Sequence, residues 1–364
     1  MGRPKRMRQV VISSTAALAL VLTGCSSSSE ETAPVEETAT VEEEVTVEET
    51  AEATARSFED FLGTPSSDQC AGNTYDLGFD VFSDNESFAL KVREGIDRVS
   101  AEMGCVSVAS LSDNADPIKA LENVKIFIQQ GKDGIMLAQV IAAAQPGIVS
   151  ELQAAGVPGL STFVPAPGIP FVDQDNFRSG EKAGEALGNA GKEAWGDEVP
   201  YLLIGSFQEG GELSIQRMDG YLPGVKVAYP DLPEANILDV PTAADPAQAN
   251  SNTGNVLSSI PNGAKILLGG INDDNTLAMV QAIENANKDY EFLAIGQGAS
   301  VLDAICSGSL YGSVAYFPEN YAAYMIPAVI GMIQGQSVPD FVELPTVVLT
   351  KANLSEYYPE SACS

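Results

Sequence analysis

The chain has 364 residues with 45% hydrophobic content, 19 Lys and Arg against 50 Asp and Glu, a formal charge of −31, and no histidine. So acidic a chain argues against nucleic acid as a partner, and the missing histidine removes the usual general base, the middle of the catalytic triad and the commonest transition-metal ligand. There is no G-x-S-x-G elbow and no G-x-x-x-x-G-K-[ST] loop, and Gly296-Gln297-Gly298 begins a G-x-G-x-x-G fingerprint without finishing it, so no enzyme, cofactor or metal is expected.

The N-terminal segment carries Arg3, Lys5, Arg6 and Arg8 before an uncharged run, Val10 to Leu22, that is too short to span a bilayer as a stable helix. Leu22-Thr23-Gly24-Cys25 completes a lipoprotein box, so residues 1–24 read as a cleaved signal and Cys25 as the lipid-bearing first residue of the mature chain. The alternative is an ordinary secretory signal with an incidental cysteine. No twin-arginine pair precedes the apolar run. Removing the four basic residues of the signal leaves 15 basic against 50 acidic, a formal −35.

Residues 25–72 read as a solvated tether. Ten glutamates lie between Glu30 and Glu52 without one Lys or Arg, and such a stretch buries too little apolar surface to offset its ordering entropy. A flexible coil of the 31 residues from 26 to 56 would span roughly 30 Å, more with self-repulsion. Thr and Val interrupt the helix-favouring Glu and Ala, and no apolar stripe recurs at helical spacing.

About 300 residues remain after the tether, ample for two domains. From Tyr75 onward short apolar runs alternate with longer amphipathic ones, the rhythm of parallel strands joined by crossover helices, so the fold class is α/β. Strands are predicted at Asp76 to Phe82, Val106 to Leu111, Gly134 to Ala138 and Pro158 to Thr162, with helices near Phe88 to Met103, Pro117 to Gln130 and Pro146 to Ala155. Pro117 and Pro146 suit helix starts, where a missing N–H costs nothing. A second series follows Asn176, with strands near Tyr201 to Gly205, Ala235 to Val240, Lys265 to Gly269, Glu291 to Gly296 and Gly312 to Ala315. Two open parallel sheets imply two lobes, with a ligand cleft at the carboxyl ends of the strands.

Besides Cys25 there are four cysteines, Cys70, Cys105, Cys306 and Cys363, whose wide spacing suits two disulfides outside the cytoplasm better than a metal site. Three pairings are open. The preferred one joins Cys70 to Cys105 across one strand–helix unit and Cys306 to Cys363 at the C-terminus.

The runs SDNADPIKALENVKIFIQQGKDGIMLAQ, ELQAAGVPGLSTF and VDQDNFRSGEKAGEAL resemble the ribose-type (type I) solute-binding proteins of bacterial ABC importers. So do QRMDGY at Gln216 to Tyr221, GGINDDNTLAMVQAI at Gly269 to Ile283 and DAICSGSLYGSVAYFPENYA at Asp303 to Ala322. The resemblance covers nearly all of residues 73 to 350, with the motifs in the same order. It implies two Rossmann-like lobes, 73–176 with 317–338 and 177–316 with 339–364, joined by a three-strand hinge that closes over a small polar ligand, often a sugar. The implied partners are that ligand, a transporter permease and a membrane reached through the lipid anchor alone. Repressors that share the fold carry an N-terminal helix-turn-helix, and here a lipid signal and tether stand in that place.

The resemblance also implies ligand-binding residues. Asn85 and Phe88 lie where the family has an amide and a ring that stacks on a sugar face, although Asn85 comes one place early and Glu86 occupies the amide's position. A ring with planar two-sided hydrogen-bonding groups suits a sugar's C–H face and hydroxyls. Arg217 and Asn272 match a family arginine and amide in the second lobe, and Asn176 matches a position at the first crossover. From pattern alone Phe88 could be core, Arg217 a solvated charge, Asn272 a helix cap and Asn176 a hinge residue. Departures mark the same cleft. Phe163-Val164 replaces an adjacent Asp-Arg pair, Gly298 beside Gln297 replaces an Asp, and Tyr316 replaces a glutamine. These changes predict a less anionic, more apolar pocket, for a modified sugar, a polyol or another small polar metabolite.

The implied activity is capture of that solute for the permease. Handing a closed receptor to a chemoreceptor or kinase is the alternative. An anchored hydrolase using Asp273 and Asp274 is disfavoured, because adjacent residues at a helix start point apart.

Overall fold

The computed structural model describes residues 65–361 and 363. The expected signal, Cys25 and the tether up to residue 64 lie outside the described residues.

Two six-stranded sheets form the core. The first runs β11-β5-β4-β3-β1-β2, from β1 (Tyr75–Val81), β2 (Val106–Ser112), β3 (Gly134–Ala138), β4 (Gly159–Thr162), β5 (Phe171–Asp173) and β11 (Phe341–Glu343), with every neighbouring pair parallel. The second runs β12-β10-β9-β8-β6-β7, from β6 (Tyr201–Ser206), β7 (Ile237–Pro241), β8 (Lys265–Gly270), β9 (Glu291–Gly298), β10 (Gly312–Ala315) and β12 (Val347–Thr350). Only its edge pair, β10 with β12, is antiparallel. Strand β3, Gly-Ile-Met-Leu-Ala, is buried at every position, as a parallel strand covered on both faces must be.

The crossover helices begin where side chains can satisfy their first N–H groups. Helix α1 (Ser87–Met103) is capped by Glu86, α2 (Pro117–Gln129) by Asp116, α4 (Asn176–Trp195) by Asp175, α6 (Pro246–Leu257) by Asp245 and α7 (Asp273–Glu284) by Asn272. Helix α3 (Gln145–Ala155) starts with a proline in its first turn and ends, like α1, on a left-handed glycine, here Gly156. The remaining helices are α5 (Glu212–Ala228), α8 (Leu302–Ser307), α9 (Tyr321–Ile333) and α10 (Leu354–Tyr357).

Helices α4 and α5 pack at backbone contact. A Cβ on Gly180 would lie 1.9 Å from the Arg217 carbonyl oxygen, and one on Gly220 would lie 2.2 Å from that of Phe177. Any side chain at either position would part the helices, so these glycines set where Arg217 on α5 stands relative to Asn176 on α4.

The chain passes between the sheets three times: from β5 to α4, from β10 to α9, and from β11 to β12. The last passage corrects the expected division. Residues 341–343 extend the first sheet, pairing in parallel with β5, instead of joining the second lobe with the rest of 339–364. The described end of the expected tether is also folded. Ser67–Cys70 forms a 3₁₀ turn, Cys70 is buried and bonded to Cys105, and Gln334 Nε2 donates to the Gln69 carbonyl at 2.7 Å. The second disulfide joins Cys306 to Cys363. Strands β5, β11 and β12 have no counterpart in the sequence reading. At three residues each, β5 and β11 are too short to show a period.

Candidate functional site

A cavity of about 490 Å³ opens between the two sheets at the carboxyl ends of their strands. The chain leaves β1 at Phe82 and β6 at Phe207, and both rings line the cavity. Phe88, in the first turn of α1, and Phe163, after β4, add two more, and Tyr316, after β10, a fifth. Edge contacts link the rings: Phe82 to Phe163 and Phe88 to Phe163 at 5.6 Å, Phe88 to Tyr316 at 6.2 Å. Phe163 holds φ = 67°, a left-handed conformation that costs an aromatic residue on the order of 1–2 kcal/mol. Gly298, at φ = 109°, leaves room for the Phe88 ring, whose Cδ2 would lie 2.8 Å from any Cβ there.

The polar groups come mainly from the second lobe. Arg217 donates from Nε at 2.9 Å and Nη2 at 2.5 Å to Asn176 Oδ1, and from Nη1 at 3.1 Å to the Ile271 carbonyl, with its guanidinium 5.1 Å from the Tyr316 ring centre. Asn176 Nδ2 in turn donates to Asp173 Oδ2 at 3.1 Å. Burial pushes the Asp173 carboxyl up to about 6, while the Arg217 charge pulls the other way. Gln297 is held on both sides of its amide: Nε2 donates to the Tyr221 hydroxyl at 3.1 Å, and Oε1 accepts from the Tyr316 hydroxyl. Beneath the cavity Asp273 is fully buried and accepts from Ser300 N at 2.8 Å, Val301 N at 3.2 Å and Ser313 Oγ at 2.7 Å, and its carboxyl rises to about 6 through burial.

The first lobe contributes one acid. Glu86 accepts from Ala89 N at 2.8 Å through Oε2, capping α1, and from Asn272 Nδ2 at 3.3 Å through Oε1. Burial pushes this carboxyl up to about 8, with the Asp274 and Asp273 charges adding to the rise. Ser87 meets the other lobe as well: its N–H and Oγ–H each donate to the Asp274 carboxylate at 3.0 Å.

Phe88, Phe163, Arg217, Asn272, Gln297 and Tyr316 thus share one cavity, and two expected residues do not line it. Asn85 is exposed, its N–H turned to Ser83 Oγ at 3.1 Å, and Glu86, the cap of α1, lines the cavity instead. Asn176 sits behind Arg217 and holds it in place. The cavity nevertheless holds acids, since Glu86, Glu209 and Asp245 all line it. Phe82 and Phe207 were missed as well. Each is the first residue after the leading strand of its lobe, so the repeat of the two strand series was the signal that could have found them.

The family model for the periplasmic binding protein domain matches residues 78–337. A comparison with curated proteins found no match. Among solved structures, a carbohydrate-transporter solute-binding protein from Agrobacterium radiobacter, in complex with D-arabinose, aligns with TM-score 0.68 at 19% identity over 80% of this chain and 99% of its own. An ABC transporter solute-binding protein from Bacillus halodurans with bound myo-inositol gives TM-score 0.66 at 18% identity, over 79% and 98%. One from Actinobacillus succinogenes with bound D-allose gives 0.65 at 20%, over 78% and 100%. At these identities the likeness shows a shared fold. With the family model spanning most of the folded part, the two-sheet architecture and the cleft have one reading: the chain belongs to the periplasmic binding protein family.

Proposed function

We propose that this protein is an extracytoplasmic receptor, anchored by lipid at Cys25, that captures a sugar or sugar-like metabolite between its lobes and presents it to an ABC transporter permease. The observation that carries the reading is the cavity itself. Its rings offer apolar faces to C–H groups, while Arg217 and Asn272 bring fixed donors to the same space, a combination suited to a small polyhydroxylated molecule. The solved structures with D-arabinose, myo-inositol and D-allose support this ligand class. The lipoprotein box and the acidic segment behind it support anchoring, because a receptor facing open surroundings would otherwise diffuse away.

Two measurements test the reading. Thermal-shift screening of the chain from Cys25 onward against sugars and polyols should find a ligand that raises its melting temperature by mass action. Labelled fatty acid should enter the wild type and not Cys25→Ser. A flat screen would remove the sugar, and equal labelling of the two chains would remove the anchor.

A further inference from the structure

The charges around the cavity do not balance, and the imbalance falls on one residue. Arg217 has its own acid, because Asn176 bridges it to the buried Asp173 carboxyl. Glu86 has no such partner: none of the ion pairs among the described residues includes it. The other charges facing it from across the cleft, Asp273 and Asp274 at the start of α7, have its own sign, and Glu209 and Asp245 add two more carboxylates to the cavity wall.

Glu86 is also poorly explained as a mere helix cap. Ser, Thr, Asp and Asn are the residues that cap well, and a cap needs one oxygen. Here Oε2 caps α1 and the Phe88 N–H also reaches the carboxyl, while the other lobe offers only a 3.3 Å contact from the Asn272 amide to Oε1. Glu86 is half-buried, and a carboxylate that faces other acids without a counter-charge is stabilised by holding a proton or by meeting a cation. Burial and the neighbouring acids have raised this one to about 8, so the free protein keeps the proton near neutrality. The rings of Phe82, Phe88 and Phe163, linked edge to face, line the same cavity as Glu86 and supply the aromatic wall beside which a cation is favoured.

We propose that Glu86 is the specificity-determining residue of this cleft and that it selects an amine-bearing sugar, whose ammonium group pairs with the Glu86 carboxylate beside the ring wall. The inference rests on the sugar-receptor reading and narrows it. An ammonium group supplies both the donors and the charge that Glu86 lacks, whereas a neutral hydroxyl supplies only a donor. Binding then expels the Glu86 proton to solvent, one proton leaving for each cation bound.

The test is titration calorimetry of the chain from Cys25 onward with D-glucosamine, D-galactosamine and D-mannosamine, each against its parent hexose. At pH 6.5 both the amine and Glu86 carry their protons before binding, and two buffers of different ionisation enthalpy count the protons released. At least one amine should bind 10-fold or more tightly than its parent with close to one proton released. Glu86→Gln keeps a side-chain oxygen for the cap, and its far-ultraviolet dichroism checks the fold. The ratio of its amine affinity to its parent-hexose affinity should fall by on the order of 10- to 100-fold, together with the loss of proton release. Hexoses that bind as well as their amines, or a preference that survives in Glu86→Gln, would overturn the role of Glu86 and leave the sugar receptor standing. No binding by any of the six would overturn the amine selection, and the sugar receptor would then be decided by the thermal-shift screen.

Discussion

The two lobes build similar sheets in the same strand order, yet they hold their buried acids in opposite ways. In the second lobe Asp273 is surrounded by donors, two backbone N–H groups and the Ser313 hydroxyl, and none of its capacity is left for a ligand. In the first lobe Glu86 receives backbone N–H groups of its own helix and one long contact from Asn272, and faces like charges with no cation beside it. The same division runs through the walls: the first lobe contributes chiefly rings, Phe82, Phe88 and Phe163, and the second the guanidinium and amides. A buried carboxylate that is saturated with donors belongs to the fold, and one that is not is open to a ligand.

The largest expected effect tests the saturated acid. Asp273→Ala leaves the Ser300 and Val301 N–H groups and the Ser313 hydroxyl proton without their acceptor and should cost about 3 kcal/mol or more of unfolding free energy. Glu86→Ala removes one cap and should cost only about 1 kcal/mol. Urea unfolding of both variants checks the contrast, and equal losses would break it.

Arg217→Ala and Asn272→Ala come next. Each should weaken ligand binding by about 1–3 kcal/mol, through hydrogen-bonding groups left unpaired in a buried site. Calorimetric affinities unchanged in both variants would remove these residues from the site. Arg217→Ala also strips Asp173 of its counter-charge, so its unfolding free energy should fall further than that of Asn272→Ala.

Much of this was legible in the sequence, for physical reasons that also mark where legibility stopped. Val106 and Gly134 start strands as predicted, and Pro117 and Met103 bound their helices, because long buried runs and capped amphipathic ones leave clear periods. The three-residue β5 and β11 leave none, so the last hinge crossing moved from 339 to beyond Glu343. At the site, the family resemblance placed Phe88, Arg217 and Asn272 at the cavity. It misplaced Asn85, whose neighbour Glu86, the cap of α1, lines the cavity instead. The isolation of Glu86 could not be read from sequence at all. It depends on Asp273 and Asp274 approaching from the other lobe, 187 residues along the chain in the case of the Ser87 to Asp274 contact.

A pH series sharpens the comparison on the stability side. Asp80 in the first lobe lies fully buried against Asn123 and Gln139, and burial together with the nearby Asp113 raises its carboxyl far above the ordinary range. Glu86, Asp173 and Asp273 are raised as well. A carboxyl raised in the folded state binds protons there that the unfolded chain releases. Its contribution is therefore full at low pH and is lost as pH climbs from the unfolded value through the folded one. The melting temperature should fall between pH 5 and pH 8. The fall should be smaller by about 2–4 °C in Asp80→Asn, which carries no proton to lose. An equal slope in the variant would mean that Asp80 is not a source of the pH dependence.

The smallest effect belongs to the contact that joins the lobes. Ser87 in the first lobe gives Asp274 in the second two hydrogen bonds, both 3.0 Å long, so the first turn of α1 is tied to an acid of α7 across the cleft. Ser87→Ala deletes the hydroxyl and keeps the N–H, which should remove about 0.5–1 kcal/mol from the closed form. Asp274→Ala deletes both. Because a ligand that binds the closed form pays for closure through the fraction already shut, apparent affinity should drop about two- to five-fold in the first variant and more in the second. Small-angle scattering of the ligand-free chain should show the radius of gyration growing in the same order. Identical scattering and affinity in wild type and both variants would mean that the tie contributes nothing to closure, and the polar contribution of the second lobe would then end at the cavity wall.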